Sequence, residues 1–412
     1  MAKPEEYFVA IDIGSSKVGV LIGHRDERDG MEVVGRGLAP HRGARKGHVV
    51  NVEATVEALK QACEEAEVMA GVEISRAYVG LAGPDARGVN SRGMVSIARR
   101  THEVTREDIH RVLMAAQSAA LPSDREILHA VPQEFVLDEQ GGIVDPLGMV
   151  GNRLEVGVHL VTSHSTRTKT LLTCVNRSGV EVAELVFEPL ATAESVLSRD
   201  ERELGVLVLD IGAGTTNFAL FHDGEIHHSG VLPVGAGHFT NDLAMVLRTP
   251  FAEAERIKVK QGCCVASMIG DDEGISVPTV AGGASRIVPR RELCEILAPR
   301  AQELLELVRD DLSKSGAEGD LRGGVVLTGG GAQLDGLLEM AEQVFDTAVR
   351  YGLPQGLGGL VDVIHSPIWA TASGLLLYAR RVEEQDRRTS KRSGFSMRSM
   401  VGNLKGMFTD LL

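Results

Sequence analysis

Two stretches of the chain share one pattern, in which an apolar run stops at an aspartate, passes a glycine-bearing turn and then resumes. They are residues 7–23 (YFVAIDIGSSKVGVLIG) and residues 205–221 (GVLVLDIGAGTTNFALF). Each predicts a buried strand, a tight turn and a second strand, and an Asp-Gly turn signal follows at 29–30 and at 223–224. The two units lie 198 positions apart. A repeat of this size predicts two similar domains that face one another.

Between and after these units, apolar residues recur at the spacing of helices. This spacing predicts helices over 52–71, 166–179, 239–247, 251–262, 294–316 and 368–382. Buried strands are predicted between the helices, for example over 77–83 (AYVGLAG). Strands that alternate with helices in this way predict an α/β protein.

Residues 84–165 interrupt the alternation. They contain short strands around one helix, for which Thr105 is the predicted N-cap because its hydroxyl can accept a bond from a backbone N–H. We therefore predict a separate, small α+β insert within the first half of the chain.

Length and composition narrow the class of protein. With 412 residues, the chain exceeds what one hydrophobic core usually serves, so two or more domains are expected. A formal net charge of −14 argues against a nucleic-acid binder. No apolar signal segment opens the sequence, and no run of about 18 apolar residues predicts a membrane span. The five cysteines lack C-x-x-C spacing and predict reduced thiols rather than disulfides or a zinc site.

The C-terminal segment differs from the acidic remainder of the chain. From Arg387 to Leu412 it carries six basic residues and one acid. Its apolar side chains fall on one face of a helix, and they are Phe395, Met397, Met400, Val401, Leu404, Met407, Phe408, Leu411 and Leu412. This pattern predicts an amphipathic membrane-surface helix over 394–412, preceded by a charged linker over 383–393. The alternative interpretation is a helix docked on the chain's own body.

The glycine-bearing turn at 210–217 offers the chemistry of a phosphate site. Its consecutive backbone N–H groups can surround an anion because two glycines there carry no side chain. Thr215 and Thr216 add hydroxyl donors. Asp210 would repel a phosphate directly, so its predicted role is to hold Mg²⁺ through water.

Two further turns extend this chemistry. The turn at 12–17 repeats the aspartate, glycine and hydroxyls, and Lys17 adds a point charge suited to the outer phosphates of a nucleotide. The turn at 327–334 (LTGGGAQL) joins a predicted strand to a predicted helix, so its backbone can lie flat against a ligand near a helix N-terminus. Single glycine turns are common, but three in this order, two of them with a strand-end aspartate, are a far more specific indication of such a site.

The order DIGSSK, DIGAGTTN, LTGGGAQL resembles the actin-like ATPase superfamily, which includes actin, MreB, sugar kinases and the ATPase domains of heat-shock chaperones. Within this superfamily, the chain resembles the bacterial cell-division FtsA family over nearly its whole length. The closer resemblance is carried by GHVVNVEATVEAL, REILHAVPQEFVLD, GGIVDPLGMVGNRLEVGVHLVT, AEAERIKVKQG and VVLTGGGAQLDGL. It implies an actin-like α/β fold, with two RNase-H-like domains around a nucleotide cleft and an inserted α+β subdomain, 1C, at 84–165.

The resemblance also implies how the chain divides into subdomains. In the first half, subdomain 1A comprises 1–83, 166–204 and the final core helix 366–382, and the inserted subdomain 1C comprises 84–165. In the second half, subdomain 2A comprises 205–226 and 293–365, and subdomain 2B comprises 227–292. The linker at 383–393 and the membrane-targeting helix at 394–412 follow.

ATP and Mg²⁺ are the cofactors that the resemblance implies. The first phosphate loop would consist of Asp12, Gly14, Ser15, Ser16 and Lys17. The second would consist of Asp210, Gly212, Gly214, Thr215, Thr216 and Asn217, with Gly237 as a further nucleotide-binding position. Mg²⁺ would be held through water by Asp12 and Asp210. Adenosine would lie against Gly329, Gly330 and Gly331, and the base or ribose would be flanked by Glu255 and Lys258.

The residues at two positions do not decide whether the protein hydrolyses ATP. Asn217 stands where many relatives carry an acid. Glu188 matches a Glu-Pro of MreB-like relatives that could position the attacking water, but it could equally begin a helix. We therefore expect ATP to bind and its hydrolysis to be weak or absent.

The resemblance further implies partners and a location. Subdomain 2B of the family binds the C-terminal peptide of FtsZ, and the matching basic positions here are Arg286, Arg290, Arg291 and Arg300, although solvated arginines on a helix flank would give the same sequence. Other copies of the chain in a filament, the anionic membrane surface and other division proteins are also expected partners. The expected location is the cytoplasmic side of the cell membrane, as a peripheral protein.

Two other functions fit parts of the pattern. A PilM-like ATP-binding pilus-assembly protein would share the insert and lack the tail. An actin-superfamily small-molecule kinase would need a catalytic base, for which the sequence offers no carboxylate motif. The main expectation is a protein that tethers FtsZ filaments to the membrane and helps to assemble the division septum.

Overall fold

The computed structural model describes residues 7–26, 30–98, 100–118, 121–270, 273–280, 285–316 and 321–393. Within these residues the chain forms sheets of six, five and four strands and two small hairpins, with helices packed against them. The predicted α/β class is confirmed. Each of the two larger sheets belongs to one half of the chain, and the four-stranded sheet belongs to the insert.

The first half opens with antiparallel strands and one long helix. Its elements are β1 (Tyr7–Ile13), β2 (Lys17–Arg25), β3 (Met31–Pro40), β4 (Ala44–Arg45), β5 (His48–Val49), α1 (Val52–Ala70) and β6 (Arg76–Leu81). β1 pairs antiparallel with β2, and β6 lies parallel to β1. α1 ends as predicted at Gly71, whose φ of 68° is the left-handed conformation that closes many helices.

The insert folds on its own sheet. Its elements are β7 (Arg87–Ser96), α2 (Arg106–Gln117), β8 (Arg125–Leu137), β9 (Gln140–Ile143) and β10 (Arg153–His164). The strand order is β7-β10-β8-β9, and every pairing in it is antiparallel. Thr105 is the N-cap of α2, and its backbone N–H donates to Asp108 Oδ2 at 3.0 Å. The separate α+β insert is therefore as predicted.

The chain then returns to the first half and crosses to the second. The returning elements are α3 (Ser165–Arg177), β11 (Glu181–Phe187), α4 (Glu188–Val196) and α5 (Arg199–Leu204). The second half contains β12 (Val206–Ile211), β13 (Thr216–His222), β14 (Glu225–Leu232), α6 (Ala236–Leu247), α7 (Phe251–Gln261), β15 (Gly274–Val277), β16 (Arg286–Pro289), α8 (Arg290–Ser315), β17 (Val325–Thr328), α9 (Leu337–Phe345) and β18 (Val349–Tyr351). Its sheet has the order β14-β13-β12-β17-β18.

The strand order confirms the internal repeat. In the first half, β1, β2 and β3 form an antiparallel meander and β6 lies parallel to β1. In the second half, β12, β13 and β14 form the same meander and β17 lies parallel to β12. The two glycine-bearing turns, between β1 and β2 and between β12 and β13, therefore occupy equivalent positions in the two sheets.

Three predicted subdomain boundaries divide elements that pack together in the structure. The boundary between 226 and 227 falls inside β14, which pairs with β13. The boundary between 292 and 293 falls inside α8, which begins at Arg290. The last elements within the described residues are β19 (Gly358–Gly359), α10 (Val361–Ile364) and α11 (Ala370–Ser393). β19 pairs with β3, and Ile364 packs in the same core cluster as Trp369, so 358–365 belongs to the first half.

The predicted linker at 383–393 is helical, because α11 continues through it to Ser393. Its Glu, Gln, Arg and Lys residues are good helix formers, and no glycine or proline interrupts them before Gly394. Within the described residues, no helix is both long and apolar enough to cross a bilayer. The amphipathic helix predicted over 394–412, with its nine apolar positions, lies outside the described residues.

Candidate functional site

The turns of the two halves meet. Gly214 of the second turn packs directly on the Ser15 hydroxyl of the first, where a Cβ would have no room. The Ser15 Oγ also accepts the Gly47 backbone N–H at 3.2 Å, which fixes the β4–β5 hairpin over the turn. His41 Nδ1 lies 2.7 Å from the Gly14 carbonyl and donates to it. Ser16 is exposed beside them. Both predicted phosphate loops therefore face one cleft.

The second turn is supported from behind by the start of α6. Gly212 N–H donates to the Thr215 carbonyl at 2.9 Å, which closes the turn. Gly237 N–H donates to the Ala213 carbonyl at 2.8 Å, so Gly237 contacts the turn through its backbone. The Thr216 hydroxyl donates to the Val234 carbonyl at 2.9 Å. These bonds hold the loop in shape, because they satisfy backbone groups that a free turn would leave to water.

Two aspartates end β1 and β12 within this cleft. Asp12 and Asp210 are each 8% exposed. Burial raises the pKa of Asp12 to about 6, with Lys17 opposing the rise and Asp210 adding to it. Burial also raises the pKa of Asp210, against the stabilising bond that its Oδ2 accepts from the Thr371 hydroxyl at 2.7 Å. The two carboxylates form a desolvated acidic pair of the kind that a hard divalent cation would neutralise.

Lys17 contacts the segment before α11. Its ammonium donates to the Ile368 carbonyl and lies 5.5 Å from the centre of the Trp369 ring. Burial lowers the pKa of Lys17, while Asp12 and Asp210 raise it. A partly buried cation therefore stands among the acids of the cleft.

Glu188 is a third buried acid in the same cluster. It is the first residue of α4, and its Oε2 accepts a 2.8 Å bond from Asn217 Nδ2. Burial, followed by repulsion from Asp12 and Asp210, raises the pKa of Glu188 well above its ordinary value. The residue begins a helix, as one of the two interpretations from the sequence expected, and its side chain turns to the acidic cluster. Its role in positioning a water stays a prediction. An acid at 217 would face this carboxylate, whereas the Asn217 amide donates to it.

Replacing Glu188 with glutamine should raise the stability of the nucleotide-free protein at pH 8 by a few degrees of melting temperature. A raised carboxyl pKa means that the folded state binds the proton more tightly, so its stability falls as pH rises above the ordinary value of 4.5. Glutamine does not ionise and can still accept the Asn217 amide. Thermal melts from pH 5 to pH 8 should show the difference growing with pH. A variant less stable than the wild type at pH 8 would contradict the raised pKa assigned to Glu188.

The third turn lies against the end of β12. Gly329 has a φ of 81°, and its backbone N–H donates to the Pro367 carbonyl at 3.2 Å. A Cβ there would collide with Asp210 Oδ1, so both the positive φ and the lack of space require glycine at this position. Gly330 and Gly331 continue as a short 3₁₀ turn, and α9 begins only at Leu337. The predicted helix therefore starts later than expected, and its N-terminus lies beyond the three glycines.

Glu255 and Lys258 of α7 pack beside the start of α6. Lys258 Nζ donates to Glu255 Oε2 at 2.8 Å, to the Thr240 hydroxyl at 2.9 Å and to the Ala236 carbonyl at 3.1 Å. Burial lowers the pKa of this lysine, while Glu255 raises it. The pair therefore lies on the α6 side of the second turn.

The four predicted partner-binding arginines do not form one uncompensated basic surface. Arg286 donates to the Leu247 carbonyl at 3.0 Å. Arg290 bonds to Glu273 at 2.8 Å, and Arg300 bonds to Asp242 at 2.7 Å. Arg291 follows Arg290 in the first turn of α8. Intramolecular carboxylates therefore already pair two of the guanidinium groups.

Sequence reasoning missed the groups that hold Asp210. Thr192 of α4 donates to Asp210 Oδ2 at 3.3 Å, and the Thr371 hydroxyl of α11 donates to the same atom. The two hydroxyls are 3.0 Å apart. Neither threonine belongs to a glycine-bearing turn, so no local signal marked them.

This architecture, two halves with one strand order and two facing aspartate-glycine turns, defines an actin-like protein. The family description "SHS2 domain inserted in FTSA" matches residues 83–162, and "Cell division protein FtsA" matches residues 207–374. The chain belongs to the FtsA family of bacterial cell-division proteins. The first of these matches coincides with the insert predicted over 84–165.

Relatives of the chain agree with this assignment. It is 46% identical to the cell division protein FtsA of Pseudomonas aeruginosa, over 90% of this chain and 88% of that protein. It is 39% identical to FtsA of Escherichia coli K12, over 92% of this chain and 91% of that protein.

Solved structures show the same fold at low identity. A chain of the PilM–PilN type IV pilus biogenesis complex matches with a TM-score of 0.64 and 16% identity, over 90% of this chain and 98% of that chain. MreB5 of Spiroplasma citri, solved with AMPPNP bound, matches with a TM-score of 0.57 and 15% identity, over 93% and 98%.

Proposed function

We propose that this FtsA-family protein binds Mg-ATP between its halves and tethers FtsZ filaments to the cytoplasmic face of the membrane. The proposal that a nucleotide binds here is supported mainly by the two aspartate-glycine turns, which meet around the buried Asp12 and Asp210. Their backbone N–H groups and the Lys17 ammonium suit phosphates, and the two carboxylates would hold Mg²⁺ through water. The bound ion would screen the phosphate charge, while the turns orient the nucleotide.

The remaining predicted positions complete this proposal. Gly329, Gly330 and Gly331 would lie against adenosine, because their lack of side chains lets the ligand approach the backbone. Glu255 and Lys258 would flank the base or ribose from α7. Glu188 is the candidate for positioning an attacking water, with turnover weak or absent.

The membrane part of the proposal rests on the composition of residues 394–412. Nine apolar positions, eight of them on one helical face next to Arg398 and Lys405, suit an interfacial helix on an anionic leaflet. The acidic C-terminal peptide of FtsZ would contact the subdomain that carries Arg286, Arg290, Arg291 and Arg300. Self-association into a filament would bring many tails to one surface.

Cosedimentation with anionic liposomes tests this function directly. The full chain with Mg-ATP should carry FtsZ into the liposome pellet, because the tail binds lipid while the body binds the FtsZ peptide. A chain truncated after Ser393 should leave FtsZ in the supernatant, although it should still bind FtsZ in solution. FtsZ lacking its C-terminal peptide is the second control. Pelleting of FtsZ by the truncated chain would contradict the tethering role.

A further inference from the structure

The insert is joined to both halves of the molecule. Its chain leaves the first half after β6 and returns there at α3. Its strands β7, β8 and β10 also contact β14, the edge strand of the sheet in the second half. The insert therefore bridges the halves at a contact that neither glycine-bearing turn takes part in.

A closed chain of hydrogen bonds forms this contact. Ser229 Oγ lies 2.8 Å from His159 Nε2, and His159 Nδ1 lies 2.6 Å from Asn90 Oδ1. Asn90 Nδ2 donates to the His227 carbonyl at 2.8 Å. Because an amide oxygen only accepts, His159 Nδ1 donates to Asn90 and Nε2 accepts the Ser229 hydroxyl. The chain thus begins and ends on β14 and passes through one residue each of β10 and β7.

The surroundings make the contact costly to break. His159 is 1% exposed and Ser229 is 3% exposed. Burial lowers the pKa of His159 to about 4, helped by His228 and His227, so the imidazole is neutral near pH 7, as its one donor and one acceptor require. Buried groups of this kind lose more by being left unpaired than they gain by being bonded.

Two further interactions extend the contact along β14. Gln133 of β8 donates from Nε2 to the Ile226 carbonyl at 2.7 Å. Val131 of the same strand packs against the core cluster that contains Phe221 and Ile226. Hydrogen bonds to backbone carbonyls and apolar packing therefore act together on one edge strand.

We infer that the insert is a strap across the two halves, which keeps the cleft closed and so slows the release of bound nucleotide. β14 pairs with β13, and β13 carries Thr216 and Asn217 of the second turn. Holding β14 against the insert therefore holds the second turn opposite the first. This inference rests on the proposed nucleotide site. By linkage, a second copy of the chain that pulled the insert from β14 would weaken nucleotide retention, and bound nucleotide would favour the strapped state.

A single methyl group can open the strap without removing any of its bonding groups. Gly88 of β7 has no positive φ, but a Cβ there would lie 2.5 Å from His159 Nε2 and would also collide with Ser229. Gly88→Ala is therefore a steric wedge, and His159→Ala removes the hydrogen-bond chain itself. Gly141→Ala is the matched control in the same insert, because the nearest atom to its Cβ would be the movable end of Glu134 at 3.2 Å.

Stopped-flow displacement of a fluorescent Mg-ATP analogue measures the effect on release. Both Gly88→Ala and His159→Ala should raise the dissociation rate about fivefold or more, which corresponds to about 1 kcal/mol. Gly141→Ala should release the analogue at the wild-type rate. Rates within about twofold of the wild type for both strap variants, in folded protein, would overturn the inference.

A distance measurement tests the strap without nucleotide. Val68 on α1 and Val259 on α7 are exposed residues of opposite halves, and the five native cysteines are buried. Spin labels at Val68→Cys and Val259→Cys should therefore report cleft opening as a longer distance between the labels, measured by pulsed electron paramagnetic resonance. Gly88→Ala should lengthen or broaden the distance distribution, and an unchanged distribution would overturn the strap. If the wild type failed to bind the analogue, the proposed function would fail while this measurement still decided the strap.

Discussion

Replacing Asp210 with alanine should weaken the binding of Mg-ATP by about tenfold to a hundredfold. Asp210 ends β12 and is held by the hydroxyls of Thr371 and Thr192. Its carboxylate would accept hydrogen bonds from Mg-bound water, and bonds to charged groups contribute about 1.5–3 kcal/mol each. At 1.4 kcal/mol per tenfold, this range gives the expected loss. Isothermal titration of the two proteins with Mg-ATP measures it.

Three comparisons separate this effect from general damage. Removing Mg²⁺ with EDTA should lower the ATP affinity of the wild type more than that of Asp210→Ala, because the variant keeps only the Asp12 carboxylate for the ion. Thr371→Val should give an intermediate loss, since it removes the shorter bond that orients Asp210. Asp310→Ala, an exposed acid on α8, should bind as the wild type does. Unchanged Mg-ATP affinity in Asp210→Ala would refute the role given to this carboxylate.

The parts of the fold that were predictable are those with local causes. The Asp-x-Gly turns can be recognised in the sequence, because glycine is needed where a backbone bends tightly or packs closely, as Gly214 does on Ser15. The end of α1 at Gly71 follows from the same conformational freedom. Repetition of the strand-turn-strand unit then predicted two equivalent halves, since equal local patterns form equal meanders.

The groups that complete the site could not be predicted, because they come from distant parts of the chain. Thr371 lies 161 positions from the Asp210 that it contacts, and Ile368 lies 351 positions from Lys17. A threonine at the start of a core helix has no pattern that distinguishes it from other buried threonines. The assignment of β19 to the first half could not be predicted for a related reason, because this strand consists of two glycines and its position depends on pairing with β3.

The buried carboxylates of the cleft should lower the stability of the protein when no ligand is bound. Asp12, Asp210 and Glu188 are all buried, and the partly buried Lys17 opposes their repulsion by lowering the pKa of Asp12. Stability of the empty protein should therefore be limited by this cluster at neutral and higher pH. The Glu188→Gln melts measure how much this cluster of buried acids costs the empty protein in stability.

A charge in the apolar face of the tail should release the protein from the membrane. We expect Leu404→Glu or Phe408→Glu to move it into the supernatant of anionic liposomes while Mg-ATP binding persists. Each change removes the burial of a side chain contributing up to about 1.5–3 kcal/mol and places a carboxylate near anionic lipid. Ser399→Glu adds the same charge on the opposite side of the predicted helix and should reduce binding less. Raised salt should weaken wild-type binding only in part, because the apolar contribution does not depend on screening.

We expect membrane binding to depend steeply on protein concentration, because attachment should depend on assembly. Ordering a tail costs about 1–2 kcal/mol per residue of backbone entropy, which offsets much of the apolar and charge contributions, so a single molecule should exchange readily. In a filament, insertion of one tail makes the next insertion intramolecular and raises avidity by about a hundredfold to ten-thousandfold. Liposome binding of the wild type should therefore rise sharply at the concentration where light scattering detects filaments. If the protein bound anionic liposomes as tightly below that concentration as above it, avidity would play no part, even if the helix itself proved correct.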